Sequence, residues 1–320
     1  MMNEFNKYQE IINSRIKDIN VKGQPKELYD PINYILNLKS KRVRPTLCLL
    51  SYSIFSKNIN EIIKPAIALE FFHNFTLIHD DIMDNANIRR GKKTIHSKWN
   101  NNIGILSGDL LMIFAYKMLE GIDKNIIVNT LGRFNEIAIK VCEGQQFDMN
   151  FENQEMISES EYIKMITLKT AVLIGFSLEL GGLISNQKKI VSNKLYKAGE
   201  KIGISFQLMD DYLDVFGNSE FGKKIGGDIS SNKKTYLMIK LLEHAEESDK
   251  KIINTLLSKG KENTTKVKKI TEYMIRYKID ELTKKIMNEF FLEGIAILES
   301  IPGKNSELKN YFEEIRKRKF

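Results

Sequence analysis

Residues 61–84 read EIIKPAIALEFFHNFTLIHDDIMD. Apolar side chains dominate as far as Ile78, and three aspartates, Asp80, Asp81 and Asp84, then close the run. The stretch is too long for a buried strand and predicts a core helix over 61–84. On a helix Asp80 and Asp84 share a face, with Asp81 beside them. The C-terminal end of a helix already carries partial negative charge. Three carboxylates there repel one another and the dipole, so the cluster predicts a cation that offsets them.

The same Asp-Asp-x-x-Asp spacing returns at Asp210, Asp211 and Asp214, closing the periodic run over 189–216. The surrounding residues do not otherwise match, so two helix ends facing one another explain the pair better than a duplicated unit. A single such window is commonly a helix end or a turn; two in one chain point to function. Oxygen ligands without His or Cys select Mg2+ or Mn2+ over Zn2+. Because Mg2+ completes its shell with waters and substrate phosphates, the two sets predict a phosphate-bearing substrate between them.

Working outward, the whole chain follows helical periodicity. Its 320 residues are 42% hydrophobic and 28% charged, the balance of a globular protein. Five prolines occur, and none falls between Ala66 and Ile301, which favours long helices over a turn-rich β fold. Apolar spacing predicts helices near 4–19, 28–38, 43–56, 61–84, 103–120, 126–151, 159–184, 189–216, 234–246, 249–259, 267–298 and 306–317. No strand alternation and no composition shift interrupts them, so one all-α domain over 1–320 is expected.

Cys48 and Cys142 lack a C-x-x-C spacing and read as buried thiols rather than a disulfide framework. The net charge of +8 comes from scattered lysines without interleaved aromatics, which argues against nucleic acid. The dense basic run is Arg316-Lys317-Arg318-Lys319, ahead of Phe320. The most apolar stretch, Ala171 to Ile184, is interrupted by Glu179, so no transmembrane segment and a cytoplasmic location are expected.

Basic residues stand where a phosphate would need them. Arg89 and Arg90 follow the first cluster, and guanidinium forks match phosphate oxygens. Lys41, Arg42 and Arg44 open a helix whose first turn suits Pro45. His73 lies seven residues before Asp80, on the same helical face.

The stretch from Phe72 to Asp84 with Arg89-Arg90-Gly91, and the stretch Phe206-Gln207-Leu208-Met209-Asp210-Asp211-Tyr212-Leu213-Asp214, resemble the two aspartate-rich motifs of trans-type isoprenyl diphosphate (polyprenyl) synthases. Lys41-Arg42-Val43-Arg44-Pro45 is similar to the family's G-K-R-x-R-P segment, with Ser40 in place of its Gly. Lys169-Thr170 matches its mid-chain pair, and Gly222-Lys223-Lys224-Ile225-Gly226-Gly227-Asp228 with Lys233 its lysine loop. The motifs run in family order from about residue 40 to 235, and little motif follows Lys250.

The resemblance implies a helical bundle around a deep central cavity, usually homodimeric. It implies that an allylic diphosphate condenses with isopentenyl diphosphate and releases pyrophosphate. Asp80, Asp84 and Asp210 would be the main ligands of a cluster of three Mg2+, with Mn2+ as a substitute. Asp81, Asp211 and Asp214 would ligate or support through water. Arg89, Lys169 and Lys223 or Lys224 would hold the allylic diphosphate, with Lys233 in the same loop. Lys41, Arg44, His73 and Arg90 would hold isopentenyl diphosphate, while Thr170 and Gln207 place dipoles near the allylic cation. The basic tail resembles tails that fold over the isopentenyl site.

A bulky residue five positions before the first motif limits product length in this family. Phe75 lies about 7.5 Å along the helix from Asp80 and Phe72 about 12 Å. Phe75 beside the smaller Thr76 resembles short-chain, geranylgeranyl-type enzymes and implies a C20 product, C15 being next. The alternatives are a class I terpene cyclase and a non-catalytic subunit of a heteromer. The second Asp-Asp-x-x-Asp argues against the cyclase, and the retention of every motif argues against the silent subunit.

Overall fold

The computed structural model describes residues 4–19, 21–217, 225–258 and 264–316. Lys223, Lys224 and the tail residues Lys317, Arg318, Lys319 and Phe320 lie outside the described residues. The described residues are all-α apart from one two-residue hairpin.

The helices are α1 (Glu4–Asp18), α2 (Lys26–Asn37), α3 (Val43–Ser53), α4 (Asn60–Met83), α5 (Ile95–Lys98), α6 (Asn101–Met118), α7 (Ile127–Glu152) and α8 (Glu159–Ile166). A π-helical turn, Thr167–Ala171, follows α8. After it come α9 (Val172–Ile184), α10 (Lys189–Phe216), α11 (Gly227–Ser230), α12 (Tyr236–His244), α13 (Glu247–Leu257), α14 (Thr264–Arg276), α15 (Ile279–Glu299) and α16 (Ser306–Arg316). Strands β1 (Ile88–Arg89) and β2 (Lys92–Lys93) pair antiparallel.

The chain divides into two compact units. The first comprises Met1–Gly132, Ser177–Asn193 and Pro302–Leu308. Here α4 is the axis: it packs on α3 and α6, while α1 lies on α3 and α2 on α6. Ile62, Ile67, Leu69, Phe71 and Phe72 of α4 are buried, and a helix apolar on every side belongs in a core. Gly104 and Gly108, one turn apart, bring α6 close to α4. A Cβ at Gly104 would meet Ile82 at 2.8 Å, and one at Gly108 the His79 ring at 2.4 Å.

The second unit comprises Arg133–Phe176, Lys194–Ile301 and Lys309–Phe320. One core cluster gathers Phe151, Tyr162, Met165, Ala171, Ile204 and Leu208. Another gathers Val215, Leu237, Leu241, Ile253, Ile270 and Met274. Ser158 and Glu161 form a capping box that starts α8.

Four features depart from the expected pattern. The predicted helix 267–298 breaks at Lys278, which takes a left-handed conformation (φ 55°) as the N-cap of α15. The preceding Tyr277 still donates its N–H to the Tyr273 carbonyl at 3.0 Å, and its hydroxyl donates to Asp249 Oδ2 at 2.6 Å. The segment between the predicted helices 61–84 and 103–120 contains the hairpin. Cys48 is buried as expected, but Cys142 is exposed on α7, so the reading of both as buried thiols holds for one only. The helical run Glu159–Ile184 is long and apolar enough to cross a membrane, contrary to the reading from residues 171–184 alone, yet 78% of its apolar window is buried inside the protein.

Candidate functional site

In the first unit, α4 delivers the first aspartate cluster at its C-terminal end, with Asp84 as C-cap. The three carboxylates are not equivalent. Asp80 is half-buried and Asp84 exposed, whereas Asp81 is only 2% exposed. The Arg89 Nε–H donates to Asp81 Oδ1 at 2.7 Å. Burial pushes the Asp81 carboxyl up from its ordinary range, and the Arg89 guanidinium opposes that shift.

Arg89 is carried on β1, and the turn residues Arg90 (φ 53°) and Gly91 (φ 72°) both take positive φ. That is the geometry of a type I′ hairpin, in which the second residue is ordinarily Gly. The Arg-Arg-Gly sequence carries this signal, although the two-residue strands are too short to show alternation.

The predicted phosphate segment splits into a scaffold and a site. Arg42 is 4% exposed, adopts φ 47° and caps α3. It donates to Glu70 Oε1 at 2.6 Å, to the Leu36 carbonyl at 2.5 Å and to Asn13 Oδ1 at 3.2 Å, joining α4, α2 and α1. Glu70, 1% exposed, also accepts from the Asn74 amide at 2.9 Å. A buried carboxylate with these donors is satisfied within the protein. Its flanking neighbours Lys41 and Arg44 belong to the predicted site, and Arg44 Nη1 donates to His73 Nε2 at 3.0 Å. That bond requires an unprotonated Nε2. Burial, followed by Arg44, Arg90, Arg89 and Arg42, holds the His73 pKa well below its ordinary value. The structure thus brings His73 and Arg44 together, in the field of the hairpin arginines.

One face of α4 carries Phe72, Phe75 and His79. Phe72 is fully buried and its ring lies 5.7 Å from that of Phe75. Phe75 is half-buried and meets His79 edge-on at 4.7 Å. His79 Nε2 donates to the Ile105 carbonyl of α6 at 3.2 Å, a contact absent from the predicted set. Thr76 turns its hydroxyl back to the His73 carbonyl at 2.8 Å.

In the second unit, Lys169 and Thr170 sit in the π-helical turn, where Val172 N–H bonds the Thr167 carbonyl five residues back. π-turns of this kind recur at functional positions. Two glycines admit it: a Cβ at Gly144 of α7 would fall 2.2 Å from Lys169 N, and one at Gly203 of α10 would fall 2.8 Å from Ala171 Cα. Lys169 Nζ donates to Asp148 Oδ2 at 2.6 Å. Thr170 Oγ1 donates to Gln207 Oε1 at 3.0 Å, and Gln207 Nε2 donates to Asp211 Oδ1 at 3.1 Å.

The second cluster repeats the inequality of the first. Asp210 is exposed and Asp214 half-buried, whereas Asp211 is 4% exposed. Tyr162 of α8 donates its hydroxyl to Asp211 Oδ2. Burial, then the nearby Asp228, pushes the Asp211 carboxyl up to about 7, against the opposing effects of Tyr162, Lys233 and Gln207. Tyr162, buried beside that carboxylate, has a pKa well above its ordinary value and remains a donor. Asp214 Oδ2 accepts the Asp228 N–H at 2.9 Å and so anchors the start of α11. Lys266, fully buried, ties the same loop by donating to Asn232 Oδ1 at 2.5 Å. Sequence reasoning singled out neither Tyr162, Asp148 nor Lys266, because each looks like an ordinary helical residue until its partner is known.

Among the described residues no group of three or more His, Cys, Asp or Glu side chains is gathered for a metal ion. Each cluster by itself offers hard carboxylate oxygens, Asp80 and Asp84 in the first unit and Asp210 in the second, and such donors suit Mg2+ when other oxygens complete its shell.

Residues 25–274 match the sequence model of a family described as Polyprenyl synthetase. A geranylgeranyl diphosphate synthase of Saccharolobus solfataricus is 37% identical over 289 residues, covering 88% of this chain and 87% of its own. One of Sulfolobus acidocaldarius is 33% identical, covering 99% and 98%. A crystal structure of a geranylgeranyl pyrophosphate synthase superposes with a TM-score of 0.94 at 35% identity, over 100% of both chains. That of Pyrococcus horikoshii superposes with a TM-score of 0.92 at 29% identity, over 98% of each.

Proposed function

The chain belongs to the polyprenyl synthetase family and is a trans-prenyltransferase, and we propose that it extends allylic diphosphates with isopentenyl diphosphate to a C20 all-trans product, C15 being next. The names of its relatives support the C20 product, and so does the half-buried Phe75 five residues before Asp80 on α4. The observation that carries the site assignment is the division of labour within each cluster. Asp81 and Asp211 are buried and held by protein donors, while Asp80, Asp84 and Asp210 reach solvent.

Membership of the family implies dependence on a divalent metal. The proposed ions are three Mg2+, or Mn2+, bound together with the diphosphate through Asp80, Asp84 and Asp210, with Asp214 in support. Bound there, they would neutralise the charge that gathers on a departing diphosphate.

Arg89 and Lys169 are assigned to the allylic diphosphate, together with Lys223 or Lys224 and Lys233 of the loop that follows the second cluster. Lys169 would exchange its Asp148 partner for the substrate. Lys41, Arg44, His73 and Arg90 are assigned to isopentenyl diphosphate. A neutral His73 accepting from Arg44 keeps that guanidinium aimed while adding no proton of its own. As the allylic C–O bond breaks, the isopentenyl double bond attacks the cation and forms the new C–C bond. The proton then lost goes to the released pyrophosphate. Thr170 and Gln207 present oxygen dipoles to the cation, and an apolar surround keeps water from it. A second copy of the chain is proposed against α6, whose Ile105, Leu106 and Ile113 are 42%, 59% and 62% exposed. A cytoplasmic location is inferred with it.

The test is incubation of labelled isopentenyl diphosphate with dimethylallyl, geranyl or farnesyl diphosphate and Mg2+, followed by product sizing. The expected product is C20, and Phe75→Ala should lengthen it by one or more C5 units. No extension of any allylic substrate would refute the reading, and an unchanged product from the variant would remove Phe75 from the chain-length floor.

A further inference from the structure

We propose that Tyr162 is a positioning residue for the condensation, acting through Asp211 to hold Gln207 and Thr170 in the orientation that faces the allylic cation. The inference rests on the functional reading above. Tyr162 lies on α8, forty-nine residues before Asp211 in the chain, and its ring is packed with Met165, Ala171 and Leu208 in the core. Its single side-chain polar atom goes to Asp211 Oδ2. The other carboxylate oxygen accepts from Gln207 Nε2 at 3.1 Å.

Asp211 Oδ1 accepts from Gln207 Nε2, so Gln207 turns its NH2 toward Asp211. The amide oxygen then faces Thr170, whose hydroxyl hydrogen is committed to it at 3.0 Å. The hydroxyl lone pairs of Thr170 and the remaining lone pair of Gln207 Oε1 are therefore the negative ends left to face a cation. Each orientation in this chain is dictated by the one before it, and the first link is the Tyr162 hydroxyl. Without it the buried Asp211 keeps one of the two donors recorded here and is free to rotate, and Gln207 loses the anchor that sets its amide.

The deciding variant is Tyr162→Phe, which keeps the ring and removes the hydroxyl. With farnesyl diphosphate and isopentenyl diphosphate as substrates, kcat should fall by about 10–100-fold, as for other residues that act one shell out from the reacting atoms. KM for both substrates, and the Kd of the unreactive thiolo analogue of farnesyl diphosphate, should stay within about 3-fold, because the orientation matters to the cation and not to the ground state. In a Gln207→Leu background the same substitution should cost no more than about 3-fold further, since the group it acts through is already gone.

Assays are run below the measured Tm of every variant. Should Tyr162→Phe not fold, Asp211→Asn breaks the chain at its next link, because the amide NH2 that replaces one carboxylate oxygen cannot accept and one of the two donors loses its partner, and it should show the same non-additivity with Gln207→Leu. An unchanged kcat, a loss confined to KM, or a loss repeated in full in the Gln207→Leu background would overturn the inference. The functional reading would survive any of these, since it falls only if the unmodified chain extends no allylic diphosphate.

Discussion

Two arginines two positions apart, Arg42 and Arg44, show how little residue type says about role. Arg42 is buried in a left-handed backbone conformation and spent on Glu70 and Leu36, while Arg44 reaches His73. Losing one partner of a buried pair leaves an uncompensated charge, so the Arg42–Glu70 pair is scaffold for the site. His73 carries a testable pH signature. Its folded pKa lies below the unfolded value of about 6.5, so above that pH both states are neutral and His73 adds no pH dependence. As pH falls through the unfolded value, the unfolded chain takes a proton that the native chain refuses, and stability declines. Urea unfolding from pH 7.5 to 5.5 should therefore show a steeper acid loss in the parent than in His73→Gln. Parallel curves would show that His73 titrates alike in both states. The sequence marked His73 by its spacing from Asp80, but its neutrality comes from burial and then from arginines on α3 and the hairpin.

At the scale of elements, α4 and α10 were legible to within about a residue, because long apolar runs ending in aspartates leave no other reading. The π-turn was not legible. Residues 159–184 keep helical periodicity throughout, and the extra residue at Thr167–Ala171 is accommodated by the small residues that pack on it. Gly144 and Gly203 are those neighbours, and a Cβ at Gly144 would collide with Lys169 backbone, which cannot swing aside as a side chain can. Gly144→Ala should thus destabilise by at least about 2 kcal/mol and lower kcat, through displaced backbone and not through lost chemistry. Urea midpoints with product assays at low temperature would check both. A variant as stable and active as the parent would mean that the turn adapts. The break at Lys278 was not legible either, since the left-handed backbone of that residue leaves the apolar periodicity unchanged.

For the whole molecule, we propose that the aspartate clusters hold Mg2+ tightly only when a diphosphate is present. Each exposes carboxylates without a complete ligand set among the described residues. Calorimetric titration with Mg2+ alone should remain unsaturated at about 1 mM, and an unreactive allylic diphosphate analogue should tighten binding at least about tenfold. Tight Mg2+ binding to the unliganded chain would contradict this. The sequence alone determined the all-α architecture, the family and the candidate acidic positions. These are local properties: spacing along one helix places Asp80 with Asp84 and Asp210 with Asp214 whatever surrounds them. Only the tertiary structure decided which carboxylate of each triple is enclosed. Asp81 is buried against Arg89 from the hairpin, and Asp211 against Tyr162 from α8 and Gln207 one turn earlier. The physical reason is that burial and hydrogen bonding depend on neighbours brought from elsewhere in the chain, and a helical repeat carries no record of them.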